Sequence, residues 1–260
     1  MGLLDGQVAI ITGAGTGIGR HAALMFAEEG ARLVLAGRRI EPLQEVVRLI
    51  SSKGGSAVAK STDLEDGDAA SALGAWTLAE FGQVDILVNN AGHSSRVRSI
   101  KYVGPEEWES VFRVNVEGVY RLTQSVVNSM LQRKCGTIIT VSSYAALHPG
   151  LLGGSPYSAA KAASYNMMRG INAELNAGGV RACTILPAEV DTPILNNRPL
   201  IPDAEARATM MMPEDVAAAI LLCATMPGRT IIEEIVMSPT QSRDRTHDLE
   251  VAAHKGAPSE

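Results

Sequence analysis

The stretch from Val8 to Gly19, which reads VAIITGAGTGIG, constrains this chain more than any other. Val8 to Thr12 is a short apolar, β-branched run and reads as a buried strand. Gly13, Gly15, Gly17 and Gly19 then open a turn. Ala22, Ala23, Leu24, Phe26 and Ala27 propagate a helix that Gly30 ends. Strand, glycine-rich turn and helix together make the opening of a β-α-β unit. In that context the glycines let backbone approach a pyrophosphate, and the helix N-terminus offers unpaired N–H groups at the positive end of its dipole. Gly13, Gly15, Thr16, Gly17, Ile18 and Gly19 are therefore the expected dinucleotide-phosphate residues.

The alternation continues. Arg32–Ala36 is a second strand, and the residues just past it lie at the adenosine ribose of a dinucleotide fold. An acidic residue there would accept from a free 2′-hydroxyl. The chain instead has Gly37-Arg38-Arg39. Guanidinium groups match a 2′-phosphate in charge and shape, so NADP(H) is expected and NAD(H) is the alternative. Arg39 serves equally well as the solvated start of the next helix. Residues 41–53 are amphipathic, and Ser56–Lys60 reads as a third strand. Thr62-Asp63-Leu64 follows. Asp63 either meets the adenine amino group beside Leu64 or N-caps the next helix. Val84–Val88 is a fourth strand leading into Asn89-Asn90-Ala91-Gly92, small and amide residues suited to a cofactor's close approach. The segment 93–101, with Arg96, Arg98 and Lys101, follows a strand end and overhangs the site.

Helical text from Glu106 to about Leu131 contains Asn115 between two valines. A buried asparagine needs partners. It is either a satisfied core amide or the holder of a water. Val180–Leu186 is a strand ended by Pro187. Residues 188–212 hold three prolines before a Met run and show little periodicity, and a loop of this length reads as a substrate lid. A helix starting at Pro213 and a strand over Ile231–Met237 complete the pattern. Strands alternating with helices and no linker imply one α/β domain over 1–240, its parallel sheet covered on both faces. The polar stretch 241–260 is expected to be flexible or used in assembly.

The chemistry is expected at Ser143, Tyr157 and Lys161. Ile138–Val141 reads as a strand with the serines at its end, and Pro156 opens an alanine-rich helix. Tyr157 and Lys161 are i and i+4 and share one helical face. A free phenol titrates near ~10, and a nearby ammonium favours the phenolate. A strand-end hydroxyl can hold a carbonyl oxygen beside that phenol. Together they form an acid/base group for an alcohol oxygen.

Composition narrows the partners. Of 260 residues, 46% are hydrophobic and 20% charged, ordinary for a globular protein. The net charge of −5 argues against a nucleic-acid surface or a basic membrane patch. Asp5 and Gly6 interrupt any apolar leader, no run approaches a membrane span, and the expected location is the cytoplasm. Cys135, Cys183 and Cys223 lack metal-ligand spacing, so buried reduced thiols are expected for the two in apolar runs.

With the glycine turn, Asn89-Asn-Ala-Gly92, Asn115, Ser143 and Tyr157-x-x-x-Lys161 all in order, residues 5–240 closely resemble the short-chain dehydrogenases/reductases. The resemblance implies a Rossmann-type, doubly wound sheet of about seven strands, a nicotinamide cofactor and carbonyl–alcohol interconversion on a small substrate. It implies that Tyr157 is the general acid/base, that Ser143 holds the substrate oxygen, and that Lys161 binds the nicotinamide ribose and lowers the tyrosine pKa. Asn115 would hold a relay water. Asn90, Ala91 and Gly92 would line the cofactor, and Val190 and Thr192, after Pro187, would meet its carboxamide. In such proteins the Asn115 and Tyr157 helices pair between subunits, and apolar Val119, Leu122, Val126, Met167, Met168 and Ile171 suggest a homodimer or homotetramer. Three features depart from the family pattern: Ser143 to Tyr157 is one residue longer, with Ser142 adjacent, Ala188 replaces a usual glycine, and the ending lacks its frequent glycines. That ending looks more like the branch with 3-hydroxy acid dehydrogenases, for which Arg96 or Arg98 could meet an acid. A 3-oxoacyl thioester reductase is another reading, with Arg121, Arg133 and Lys134 as a carrier-protein patch. A non-catalytic dinucleotide sensor is a third, disfavoured by the intact Tyr157 and Lys161.

Overall fold

The computed structural model describes residues 2–258. Seven strands, β1 (Val8–Thr12), β2 (Arg32–Gly37), β3 (Ser56–Ser61), β4 (Ile86–Asn89), β5 (Gly136–Val141), β6 (Val180–Pro187) and β7 (Glu234–Met237), form one sheet. Every neighbouring pair is parallel, in the order β3-β2-β1-β4-β5-β6-β7. The order reverses between β1 and β4, the place where a doubly wound sheet opens a crevice at its carboxyl ends. The fold is the expected Rossmann-type α/β architecture.

Among the described residues nine α-helices connect and cover the strands: α1 (Gly17–Glu28), α2 (Ile40–Ser52), α3 (Gly67–Phe81), α4 (Pro105–Phe112), α5 (Gly118–Arg133), α6 (Ser155–Leu175), α7 (Ala204–Ala208), α8 (Pro213–Thr225) and α9 (Thr246–His254). The apolar strands bury both faces. Ala9 and Ile11 of β1 pack with Phe26 of α1, Val46 of α2 and Ile220 of α8. Ile10 turns to the other layer, with Leu73 of α3, Leu122 of α5 and Met168 of α6. Strand alternation thus splits one continuous apolar run between two cores.

Several expectations change. The last strand begins at Glu234, because only Glu234–Met237 lie opposite β6. Asp63 does not cap a helix: Asp66 caps α3, accepting from the N–H groups of Asp68 and Ala69. Val119, Leu122, Val126 and Met168 are buried within this single chain, so they give no apolar surplus for pairing between subunits. Cys183 and Cys223 are buried free thiols, while Cys135 is exposed. Residues 188–212 are not structureless. A turn of 3-10 helix (Pro193–Asn197) and α7 lie within them, and their base is tied by a bridge between Val190 and Met211. The stretch beyond 240 is not a loose tail either, for it carries α9, whose Ala252 is buried. Among the described residues no helix is long and apolar enough to cross a membrane.

Candidate functional site

The carboxyl ends of β1 and β4 are stitched together by Thr12. Its hydroxyl donates to the Val88 carbonyl (3.3 Å) and accepts from the N–H groups of Asn90 and Ala91 (3.0 Å each). The Asn90 amide returns a bond to the Thr12 carbonyl at 2.8 Å. Against this junction the glycine turn runs tight. Gly13 has φ of +64°, a conformation that disfavours a side chain. A Cβ on Gly19 would lie 2.5 Å from the Asn90 Nδ2 and from the Gly13 carbonyl, so helix and strand meet only because the residue is glycine. Thr16 N-caps α1 without a side-chain bond, and the first turn holds no acid. Its free N–H groups and the dipole are left for an anion. These features fit a dinucleotide pyrophosphate.

Opposite the cradle stands the second group. Tyr157 lies in the first turn of α6 with Ser143, which ends the segment after β5, within hydrogen-bond reach. The Ser143 oxygen also accepts from the Ala145 N–H at 3.2 Å. Ser142 points elsewhere, donating to the Lys161 carbonyl at 2.9 Å. The Lys161 ammonium lies 5.6 Å from the Tyr157 ring centre and donates to the Val141 carbonyl at 2.9 Å. Asn115 occupies a π-helical turn (Arg113–Glu117) between α4 and α5. Its amide donates to the carbonyls of His93 (2.7 Å) and Val111 (2.8 Å), which satisfies it in the core. Gly92 separates these side chains: a Cβ there would sit 3.3 Å from Asn115 Oδ1 and 3.4 Å from Lys161 Nζ.

Burial shapes the electrostatics. It pushes the Tyr157 phenol above its ordinary value, although Ser143, Arg98 and Arg198 pull it down. It pushes the Lys161 ammonium down to about 8. The sequence expectation that the lysine lowers the tyrosine pKa does not appear here: Ser143, Arg98 and Arg198 are the groups that pull the phenol down, and desolvation, which disfavours both charged forms, outweighs them.

A cavity of about 550 Å³ joins the two groups. Gly13, Thr16, Gly17 and Ile18 line it from the turn, and Asn90, Ala91 and Gly92 from the end of β4. Ser143 faces it from just past β5, Tyr157 and Lys161 from α6, Pro187 from the end of β6, and Val190 and Thr192 from beyond it. Gly15 and Gly19 lie behind the wall, and Asn115 is buried behind Gly92. Arg38, Arg39 and Asp63 are exposed outside the cavity, while Leu64 belongs to the core. Arg38 faces His93 closely enough that, after burial, its charge is the chief influence holding that imidazole's pKa down. Neither arginine pairs with a carboxylate among the described residues.

Residues 7–200 match the family described as short chain dehydrogenase. The chain belongs to the short-chain dehydrogenase/reductase family. An uncharacterised oxidoreductase of Staphylococcus aureus (strain USA300) is 33% identical over 241 residues, spanning 92% of this chain and 100% of that one. A metagenomic short-chain oxidoreductase solved in complex with NADP is 32% identical, with a TM-score of 0.80 over 92% of this chain and 100% of that one. A 3-ketoacyl-(acyl-carrier-protein) reductase from Brucella melitensis, solved with NADH, is 28% identical, with a TM-score of 0.80 over 90% and 98%. This short-chain dehydrogenase/reductase is an oxidoreductase acting on CH–OH groups with NAD(P).

Sequence reading named Arg98 beside Arg96 as a cation that could meet an acid, and it left other cavity residues of this dehydrogenase unassigned. Arg98 is 2% exposed and lines the site, whereas Arg96 is exposed outside it. Glu189, Arg198, Arg245 and Leu249 also line it. Thr12 was visible as the last residue of a strand, and its bridging hydroxyl left no further signal.

Proposed function

We propose that this chain interconverts a small ketone or aldehyde and its alcohol, with NADP(H) as cofactor and Tyr157 as general acid/base. The observation that carries this reading is the convergence of Ser143, Tyr157 and Lys161 on the cavity that the glycine turn also lines. The dinucleotide, when bound, supplies or accepts the hydride. Ser143 holds the substrate oxygen beside the phenol, and Tyr157 gives or takes the proton there. Ser143 suits this role better than Ser142, whose hydroxyl is committed to the Lys161 carbonyl. Lys161 places a cation behind the phenol and serves the nicotinamide ribose. Asn115 fixes the His93 backbone and keeps Oδ1 toward Gly92 for a relay water, while Val190 and Thr192 meet the carboxamide. The thioester-carrier reading loses support, because two of its three patch cations are spent: Arg121 pairs with Glu117 (2.8 Å) and Arg133 with Asp85 (2.6 Å).

The cofactor preference rests on Arg38, exposed just past β2 with no acidic partner among the described residues. Removing a charge-assisted bond to a 2′-phosphate costs about 1.5–3 kcal/mol, roughly tenfold or more in affinity. Arg38→Ala therefore weakens NADPH binding about tenfold or more and leaves NADH within twofold, read by quenching of protein fluorescence. Equal losses for both dinucleotides, or none, rule out Arg38 as the phosphate ligand.

A homodimer or homotetramer through α5 and α6 is also proposed, supported by exposed Tyr120 and partly exposed Met167 and Ile171 on those helices. Sedimentation at micromolar concentration checks it, and a single monomer species refutes it.

A further inference from the structure

The family match ends at residue 200, yet the chain beyond 240 helps to build the cavity. A buried ion cluster holds it there. Arg243 makes two parallel bonds to Asp248 (2.9 Å each) and a third to Glu189 Oε1 (2.9 Å). The same Glu189 oxygen accepts from Arg198 at 2.7 Å. All four side chains are only 10–12% exposed. Burial opposes ionisation of Glu189, but the two guanidinium groups hold its pKa below the usual carboxylate value. Glu189 follows β6 by two residues, so this cluster latches the C-terminal segment onto the cavity rim. The latch carries Arg245 and Leu249 into the wall.

The charges of that wall do not cancel. Among the described residues its cations are Arg98, Lys161, Arg198 and Arg245, and Glu189 is its one carboxylate. Within the latch, two guanidinium groups face two carboxylates, so Glu189 and Arg198 are spent. Lys161 is bound to the Val141 carbonyl and belongs to the proton chemistry. Arg98 and Arg245 have no carboxylate partner among the described residues. Arg98 is 2% exposed, its Nε has no partner, and its Nη1 reaches only the backbone carbonyls of Leu152 (3.0 Å) and Gly153. Burial and the nearby Arg198 push it down to about 10, the mark of a desolvated cation beside a like charge. A buried cation of this kind is favourable only with an anion beside it. Arg98 lines the same cavity as Tyr157, so an anion held there shares the cavity with the reacting oxygen.

We propose that the substrate of the reaction carries a carboxylate, bound between Arg98 inside the cavity and Arg245 at its mouth, and that the C-terminal segment is the specificity element that delivers Arg245. The inference rests on the carbonyl–alcohol reading above. Planar guanidinium groups suit a carboxylate's two oxygens.

The test compares each of three oxo acids with its own methyl ester, using NADPH: pyruvate, 3-oxobutanoate and 4-oxopentanoate. Their spacings between carbonyl and carboxylate let the enzyme choose the reach. The expected result is at least one acid with kcat/KM tenfold or more above its ester. In Arg245→Gln the KM for that acid rises tenfold or more, kcat stays within twofold, and the ester is unchanged; Arg245→Lys recovers part of the loss. A second readout needs no turnover: titration of that acid into the NADP+ complex shows binding in the wild type and a matching loss in Arg245→Gln. Esters reduced as well as their acids overturn the proposal and leave the oxidoreductase standing, as does reduction of neutral ketones alone. A weakened affinity for NADPH in Arg245→Gln also overturns it, by assigning Arg245 to the cofactor. If no carbonyl of any kind is reduced, the oxidoreductase reading falls and takes this one with it.

Discussion

Tyr157→Phe lowers kcat/KM by about three orders of magnitude and leaves NADPH affinity within twofold. Positioned proton transfer contributes roughly 10²–10⁴ to a rate, and the phenol is the acidic group paired with Ser143. Phenylalanine keeps the ring that fills the wall, and Ser143 keeps its bond from Ala145, so the loss reports chemistry and not a collapsed site. The pH profile follows from the raised phenol. Burial keeps Tyr157 protonated at neutral pH, so carbonyl reduction, which needs a proton donor, is favoured there. Alcohol oxidation needs the ionised form and rises as pH climbs toward the phenol's shifted value. Retention of more than a tenth of the activity by Tyr157→Phe means the proton comes from another group.

The parts of the molecule that could be read from sequence are those written in neighbouring residues. The β1 run, the glycine turn and α1 were legible because strand, φ-permissive turn and helix each leave a local pattern. The Tyr157 and Lys161 pairing was legible because i,i+4 on a helix is local too. The unread parts depend on distant partners. Arg243 reaches Glu189, 54 residues away, and nothing near Arg243 announces it, so an ordered latch looked like a polar tail. Ile231 and Ile232 have strand composition, yet they have no partner opposite β6 and stay outside β7. Arg98 could not be told from Arg96 as the cation of an overhanging loop, since burial of one guanidinium is decided by its packing against the loop at 152–154. Asn115 was conspicuous as an amide between valines that needs partners when buried, but its π-turn is a property of backbone hydrogen bonding.

Burial also decides the effect of Lys161→Met, which abolishes turnover and raises the melting temperature at neutral pH. Lys161 is 4% exposed, and its pKa falls from 10.5 to about 8 on folding. Below pH 8 the folded chain holds an ammonium that the unfolded chain would hold more easily. That difference destabilises the fold by about 3 kcal/mol, before the bond to the Val141 carbonyl offsets part of it. The folded pKa lies below the unfolded one, so between about 8 and 10.5 the unfolded chain binds more protons and wild-type stability rises with pH. Methionine has no such dependence and fills a similar volume with apolar atoms. The two melting temperatures should therefore differ by several degrees at pH 7 and converge near pH 10, at roughly 2–4 °C per kcal/mol for a chain of this size. A methionine variant that melts below the wild type at pH 7 means the Val141 bond outweighs desolvation. Convergence with rising pH, alongside lost activity at every pH, identifies a residue that weakens the fold in order to keep a cation beside the phenol.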